Sequence, residues 1–427
     1  MPIYKALSAS PVIPWRLRHG MERWLESSCR DRRPGLYRWL HFGEARDRLR
    51  AVTSGPRHHF FGYYDKCPWN ASQRLLLAHE APFNDRPPNP GDGASVGVVH
   101  LAEGNRYQPL ATSLAWNWQQ GSMLQWHPAD PEHLVLHNDR REGRFVAIVR
   151  DTEGRALNVY DQPIYAVAPD GRHAYSVNFA RLYTHRPGYG YAGCADPWAD
   201  DPHPKEDGIH RLDLASGRSE LIVSLEELAH LDADDAWRDA FQWINHVQVS
   251  PDGSRIAFFH IRRAGEAGWR ARLCSCASDG SGPTRLLDAE VVSHYDWLDN
   301  QRILIWAKDH GHAGHFRLVR LAREDTDVVG AEVLVEDGHV SFSPDRRWVL
   351  NDTYPDRYDM RTLMLYRWAD GRRADLARLH SPKSRWWGEI RCDLHPRWSR
   401  DGTMVCIDSV HTGQRQMYVM DVGEFVR

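Results

Sequence analysis

The sequence predicts an all-β protein, on three observations. Aromatics are heavy for a chain of 427 residues, with 18 Trp and 16 Tyr, and flat bulky side chains favour pleated, half-buried strands. With 32 Gly and 25 Pro, there is enough turn chemistry to punctuate many short strands. The third observation is a repeat: an apolar run, a Pro-Asp-Gly-like turn and a second apolar run recur seven times.

Aligned on the turn, the copies include KCPWNASQRLLLAH, AVAPDGRHAYSVN, QVSPDGSRIAFFH and SFSPDRRWVLNDT. The seven turn positions are Pro68, Pro128, Pro169, Pro251, Leu298, Pro344 and Arg400. A further strand pair follows each copy, as in HRLDLASGRSELIV. A period of roughly 40–50 residues with four strands per unit marks a β-propeller. The expectation is a seven-bladed β-propeller over residues 55–427, closed by the C-terminal strand QMYVMDV joining the first blade. An insertion is expected near 183–208, and a helix near 225–240.

Residues 1–54 read differently, as a short N-terminal helical extension. Trp24, Leu25, Leu36, Trp39 and Leu40 stand at helical spacing among many arginines, broken at Pro34-Gly35. A basic amphipathic segment of this kind can lie on a membrane surface, although packing on the main domain is the plainer expectation. No stretch is apolar and long enough to span a bilayer, and no secretory h-region is evident, so the cytoplasm is expected. A formal charge of −3 gives no footprint for nucleic acid. Seven cysteines without a CxxC pair exclude a disulfide framework or a zinc ribbon. Cys274 and Cys276 read as packing residues.

In a blade the innermost strand crosses from one face to the other and the second strand returns. The turns therefore share one face, and the residues entering strand one or leaving strand two surround the opposite mouth of the channel. That places His59, His79, Tyr165, Arg181, His246, His294 and His339 around one pocket. His246 and His339 stand five residues before their turn positions and His294 stands four before. Three imidazoles on adjacent strands can hold one divalent ion, Mn, Ca or Zn, with open positions left for substrate. His395 occupies the matching place in blade seven. His127 lies beside its turn and should face away. Tyr183, Tyr189, Tyr191 and Trp198 in the insertion can wall a saccharide subsite or simply order a loop.

The Ser-Pro-Asp-Gly turns resemble those of TolB-type propellers, a likeness of architecture that says little about activity. The pair His59 and His79 from blade one, with Tyr165 and Arg181 from blade three, is similar to the set used by seven-bladed polysaccharide lyases of the ulvan and rhamnosyl-glucuronate type. The His246, His294 and His339 positions resemble the metal-site histidines of oligogalacturonate lyases. These resemblances imply β-elimination at a uronate, most simply glucuronate, within an oligo- or polysaccharide. Such a reaction needs the carboxylate neutralised before the C5 proton can leave. The resemblance implies that Arg181 neutralises, that His79 and Tyr165 act as base and acid, and that His59, or its neighbour His58, neutralises or orients. Two other readings stay open: a non-catalytic propeller binding a glycan or protein, and a glycoside hydrolase, for which Asp65, Asp296 and Asp352 are the candidate carboxylates.

Overall fold

The computed structural model describes residues 48–265 and 268–427; the predicted N-terminal helices lie outside the described residues. Seven four-stranded antiparallel sheets make seven blades. Six are built from consecutive strands, running from β2 (His58–Phe60) to β5 (Arg106–Ser113) in blade one and from β22 (Ser341–Phe342) to β25 (Arg373–His380) in blade six. The seventh is composite. Its strands β26 (Arg397–Trp398), β27 (Met404–Ser409) and β28 (Gln416–Asp421) are followed by β1 (Leu49–Ala51), which pairs antiparallel with β28.

Closure therefore differs from the expectation. The C-terminal strand stays in the last blade, and an N-terminal strand supplies that blade's outer edge. Among the described residues, the first propeller strand starts at Leu49, ahead of residue 55. Pairing β1 with β28 covers a backbone edge of β28 that would otherwise stay open.

The turn motif explains its own recurrence. In blade four the Ser250 hydroxyl donates to Asp252 Oδ1 at 2.7 Å, and the same oxygen accepts from Ser254 N at 3.0 Å. Ser250 Oγ then accepts from Arg255 N, starting the next strand. Ser343 with Asp345 and Ser399 with Asp401 repeat the pattern. Gly253 takes φ +76 in this turn, a left-handed conformation that suits glycine; Arg346 takes φ +60 at the same place in blade six.

Both faces of each blade pack on neighbours, so strands such as Arg255–Ala264 carry a nearly continuous buried run. Cys274 and Cys276 are buried in that packing and unpaired. The expected insertion is real, and it opens with an unforeseen helix at Phe179–His185, capped by Asn178. Near 225–240 two short helices, Leu225–Ala229 and Asp235–Arg238, replace one. No helix among the described residues is long and apolar enough to cross a membrane.

Candidate active site in the channel

The candidate site sits at the end of the central channel away from the Ser-Pro-Asp turns. Blades four to seven each contribute one imidazole, forming an arc. Ring centroids of His246 and His294 are 6.0 Å apart, His294 and His339 3.9 Å, and His339 and His395 4.3 Å. A backbone irregularity aims some of them. His246 and His395 hold φ +54 and +41, and strand β14 (Gln242–Val249) slips register between Asn245 and Gln248. A bulge turns a side chain out of the regular alternation, here into the channel.

The centre of the arc is Tyr63, which sequence reasoning missed. Between His58–Phe60 and the Trp69–Leu76 bridge, blade one leaves its sheet and sends Tyr63 and Tyr64 into the channel. The Tyr63 ring lies 4.9 Å from His395 and 5.2 Å from His246, and its hydroxyl bonds His246 Nε2. Burial holds that phenol protonated, well above its ordinary pKa of 10. A signal existed: Tyr63 stands five residues before Pro68, the offset that found His246, His339 and His395.

Asp393 was also missed. It is fully buried and pairs with Arg361 Nη2 at 2.6 Å and Arg391 Nε at 2.7 Å. Burial alone would raise its pKa, but Arg391 and Arg361, then His339 and His395, hold it well below the carboxylate range. His339, Asp393 and His395 present ligand atoms within 4.8 Å of one another. Ligand atoms about 2.1 Å from one ion lie about 3–4 Å apart, and His339 Nε2 and His395 Nε2 are 4.0 and 3.8 Å from Asp393 Oδ2. Both nitrogens are buried without a hydrogen-bond partner. His339 Nδ1 is held by Asp352 Oδ1 at 2.8 Å, which leaves the Nε2 lone pair facing the site. These residues fit a divalent ion.

The metal-capable set therefore differs from His246, His294 and His339. Only His339 belongs to it. His246 spends Nε2 on Tyr63, and His294 stands outside the group whose ligand atoms lie within 4.8 Å of one another; its Nδ1 lies 2.9 Å from Ser293 Oγ, which donates to Asp337 at 2.8 Å. Because that hydroxyl's hydrogen goes to Asp337, its oxygen accepts from His294 Nδ1–H, and the network assigns a lone pair to Nε2. Burial and then His339 lower the pKa of His294, keeping it neutral.

The set His59, His79, Tyr165 and Arg181 does not form one site. Arg181 has five N–H donors, and all are spent: Nε on Gln242 O at 2.6 Å, Nη1 on Asp196 Oδ2 and Trp198 O, Nη2 on Asp201 O and Pro202 O. It pins the insertion to blade four and has no fork left for a carboxylate. Tyr165 donates to Asn245 Oδ1 and accepts from Gln120 and from His246 N, so it props His246 from behind. His59 bridges Gln416 and Glu80, and His58 bonds Asn84, both at the blade-one edge. Of the insertion's aromatics, Tyr189 reaches the site: its ring is 6.2 Å from Tyr63 and its hydroxyl accepts from Arg391 at 2.6 Å. Tyr191 stacks on Phe179 at 4.3 Å, while Tyr183 and Trp198 are half-buried, Trp198 meeting Arg181 through its carbonyl. His127 caps its own turn through Ala129 N, on the other face. Asp65 and Asp296 likewise lie at the turn end, apart from Asp352.

His79 is an inter-blade strut. Its Nδ1 donates to Phe61 O at 3.0 Å, so Nε2 accepts from Ser122 N at 3.0 Å and the Ser122 hydroxyl at 2.8 Å. Burial pushes its pKa down to about 3. Between that value and the ordinary one of about 6.5, the unfolded chain binds a proton that the folded chain refuses. Stability therefore rises with pH across this window and is lost as pH falls from 6.5 toward 3, by about 1.4 kcal/mol per pH unit for one such group. Urea midpoints measured from pH 7 to 4 should fall, and His79→Gln should flatten the slope. An unchanged slope in the variant would count against this role.

No protein-family model matches the chain, and no curated protein matches it. Among solved structures, the chain is similar to an oligogalacturonate lyase from Vibrio parahaemolyticus, at 13% identity over 89% of this chain and 94% of that one, with TM-score 0.63. It is similar to an oligogalacturonate lyase in complex with manganese, at 14% identity over 88% and 94%, with TM-score 0.64. The tricorn protease matches at 10% identity over 87% of this chain and 35% of that one, with TM-score 0.50. At such identities the likeness shows the fold alone.

Proposed function

We propose that the chain is a carbon–oxygen lyase that cleaves a uronate glycoside, glucuronate first among those to test, by β-elimination at the channel end. One observation carries this reading: four imidazoles, the Tyr63 phenol and Asp393 with its two arginines converge on one buried locus. A binding scaffold needs no such set. The similarity to an oligogalacturonate lyase in complex with manganese supports it at the level of architecture.

The substrate carboxylate lies against the two Arg391 N–H groups left after Nε donates to Asp393, Nη1 to Gly388 O and Nη2 to Tyr189. A divalent ion held by His339, His395 and Asp393 would supply further charge neutralisation, acidifying the C5 proton. His294 Nε2 takes that proton, the electron pair forms the C4–C5 double bond, and the C4–O bond breaks. Tyr63, hydrogen-bonded to His246, returns a proton to the departing oxygen, and the proton taken by His294, whose ring lies 6.3 Å from that of Tyr63, restores the phenol when product leaves. Asp337, through Ser293, holds His294 in the working tautomer.

The test follows the product. Elimination creates a conjugated unsaturated uronate, which absorbs ultraviolet light where the substrate does not. On a panel of uronate oligosaccharides absorbance should rise, and His294→Ala should slow it by about 10²–10⁴-fold, the usual worth of a general base. No rise on any substrate, with or without added manganese, would remove the lyase reading and leave a glycan-binding propeller.

A further inference from the structure

We infer that the opposite end of the channel is a second binding site, taking a small hydroxylated carboxylate of the sugar-acid class. A cavity of about 360 Å³ opens there, on the face carrying the Ser-Pro-Asp turns. Blades one, five, six and seven line it, and Tyr64, in its wall and bonded to Tyr295 O, stands between it and the histidine arc, its ring 5.6 Å from His294 and 5.4 Å from His339. It plays no part in the elimination chemistry.

The wall is chemically unfinished. The Lys66 side chain is nine-tenths buried, yet its only polar partner among the described residues is Asp65 Oδ2 at 2.8 Å; the ammonium otherwise faces the Tyr165 ring at 5.5 Å. An ammonium has three donors, so two are left for a ligand. The other oxygen, Asp65 Oδ1, is buried without a partner, as is Ser341 Oγ. Buried polar groups are ordinarily paired, and each orphan asks for an acceptor or a donor of matching kind. Lys66 asks for an acceptor, Asp65 for a donor, and Ser341 takes either.

The rim sets the charge. Arg346 and Arg400 stand over the opening; Arg346 is partly held by Trp297 O and Arg400 by the Trp69 and Asn70 carbonyls. Against them stands Asp296, which is occupied by the backbone N–H groups of Phe342 and Trp297. With Arg397 in the wall neutralised by Asp408, Lys66, Arg346 and Arg400 against Asp65 and Asp296 favour a monoanion. Phe342, Pro344 and Trp398 add apolar wall, suited to the face of a saturated ring. A carboxylate, several hydroxyls and one ring face in about 360 Å³ describe a monosaccharide acid.

Calorimetric titration of the full chain with glucuronate tests this, with glucose lacking the carboxylate and acetate lacking the hydroxyls as comparison probes. Glucuronate should bind saturably, and each comparison probe at least about tenfold more weakly, as expected from losing one charge-assisted contact or the hydroxyl set. Lys66→Met should weaken glucuronate by about tenfold or more, and Ser341→Ala by a smaller factor. His395→Ala, at the other end of the channel, should leave this binding unchanged, which separates the site from the proposed lyase centre. Absence of saturable binding in the wild-type chain overturns the inference. So does binding that survives both Lys66→Met and Ser341→Ala, or that disappears with His395→Ala alone.

Discussion

Asp393→Ala is expected to lower the unfolding free energy by about 3–5 kcal/mol, the cost of removing one partner from a buried ion pair. The reason lies in what is left behind. Arg361 is fully buried, and Arg391 is largely so; without Asp393 two guanidiniums face each other with no counter-charge. Asp393→Asn keeps the shape while losing the charge, so it should fall between wild type and Ala. The same change removes a ligand atom from the His339, Asp393 and His395 set, and the elimination rate should fall with it. Urea midpoints and initial rates measured on one preparation check both effects. An Ala variant as stable as wild type would mean that the arginines find other acceptors, and the account of the centre would fall with that finding.

Asp393 also shows where sequence reading stops. Its neighbour His395 was legible, because strand length fixes what stands five residues before a turn. That offset holds in blades one, four, six and seven, where it places Tyr63, His246, His339 and His395. Asp393 carries no such signal. Its importance comes from Arg361 on blade six and Arg391 on its own loop, and pairings between blades are not written in any local spacing. Arg181 shows the converse error. As a cation near a blade edge it looked free to bind a carboxylate, yet the insertion that follows it supplies acceptors for all five donors. His79 lay at the right edge of the sheet, but Phe61 and Ser122 consume both ring nitrogens. Architecture was readable because it repeats. Side-chain partners were not, because each is settled once, by a contact across the ring.

The second large effect is expected from a residue that touches neither substrate nor ion. Asp408, on β27, accepts from Phe61 N at 3.1 Å and from Gly62 N at 3.4 Å, and pairs with Arg397 Nη2 at 2.7 Å. Arg397 in turn donates to Gly62 O at 2.7 Å and Tyr63 O at 3.2 Å. This clamp holds the stretch that leaves blade one and carries Tyr63 into the arc. Asp408→Ala should cost about 3–5 kcal/mol by stranding the buried Arg397. It should also slow elimination at least as much as Tyr63→Phe does, since Tyr63 loses its backbone support as well as its register. Asp408→Asn, which retains an acceptor for the Phe61 and Gly62 amides, should recover part of both losses. The clamp is what makes the comparison decisive. If Tyr63 acts through position, weakening its anchor must act through Tyr63, so the double variant Asp408→Asn with Tyr63→Phe should be no slower than Tyr63→Phe alone. Rates that multiply instead would assign Asp408 an effect independent of Tyr63 and detach the blade-one loop from the chemistry.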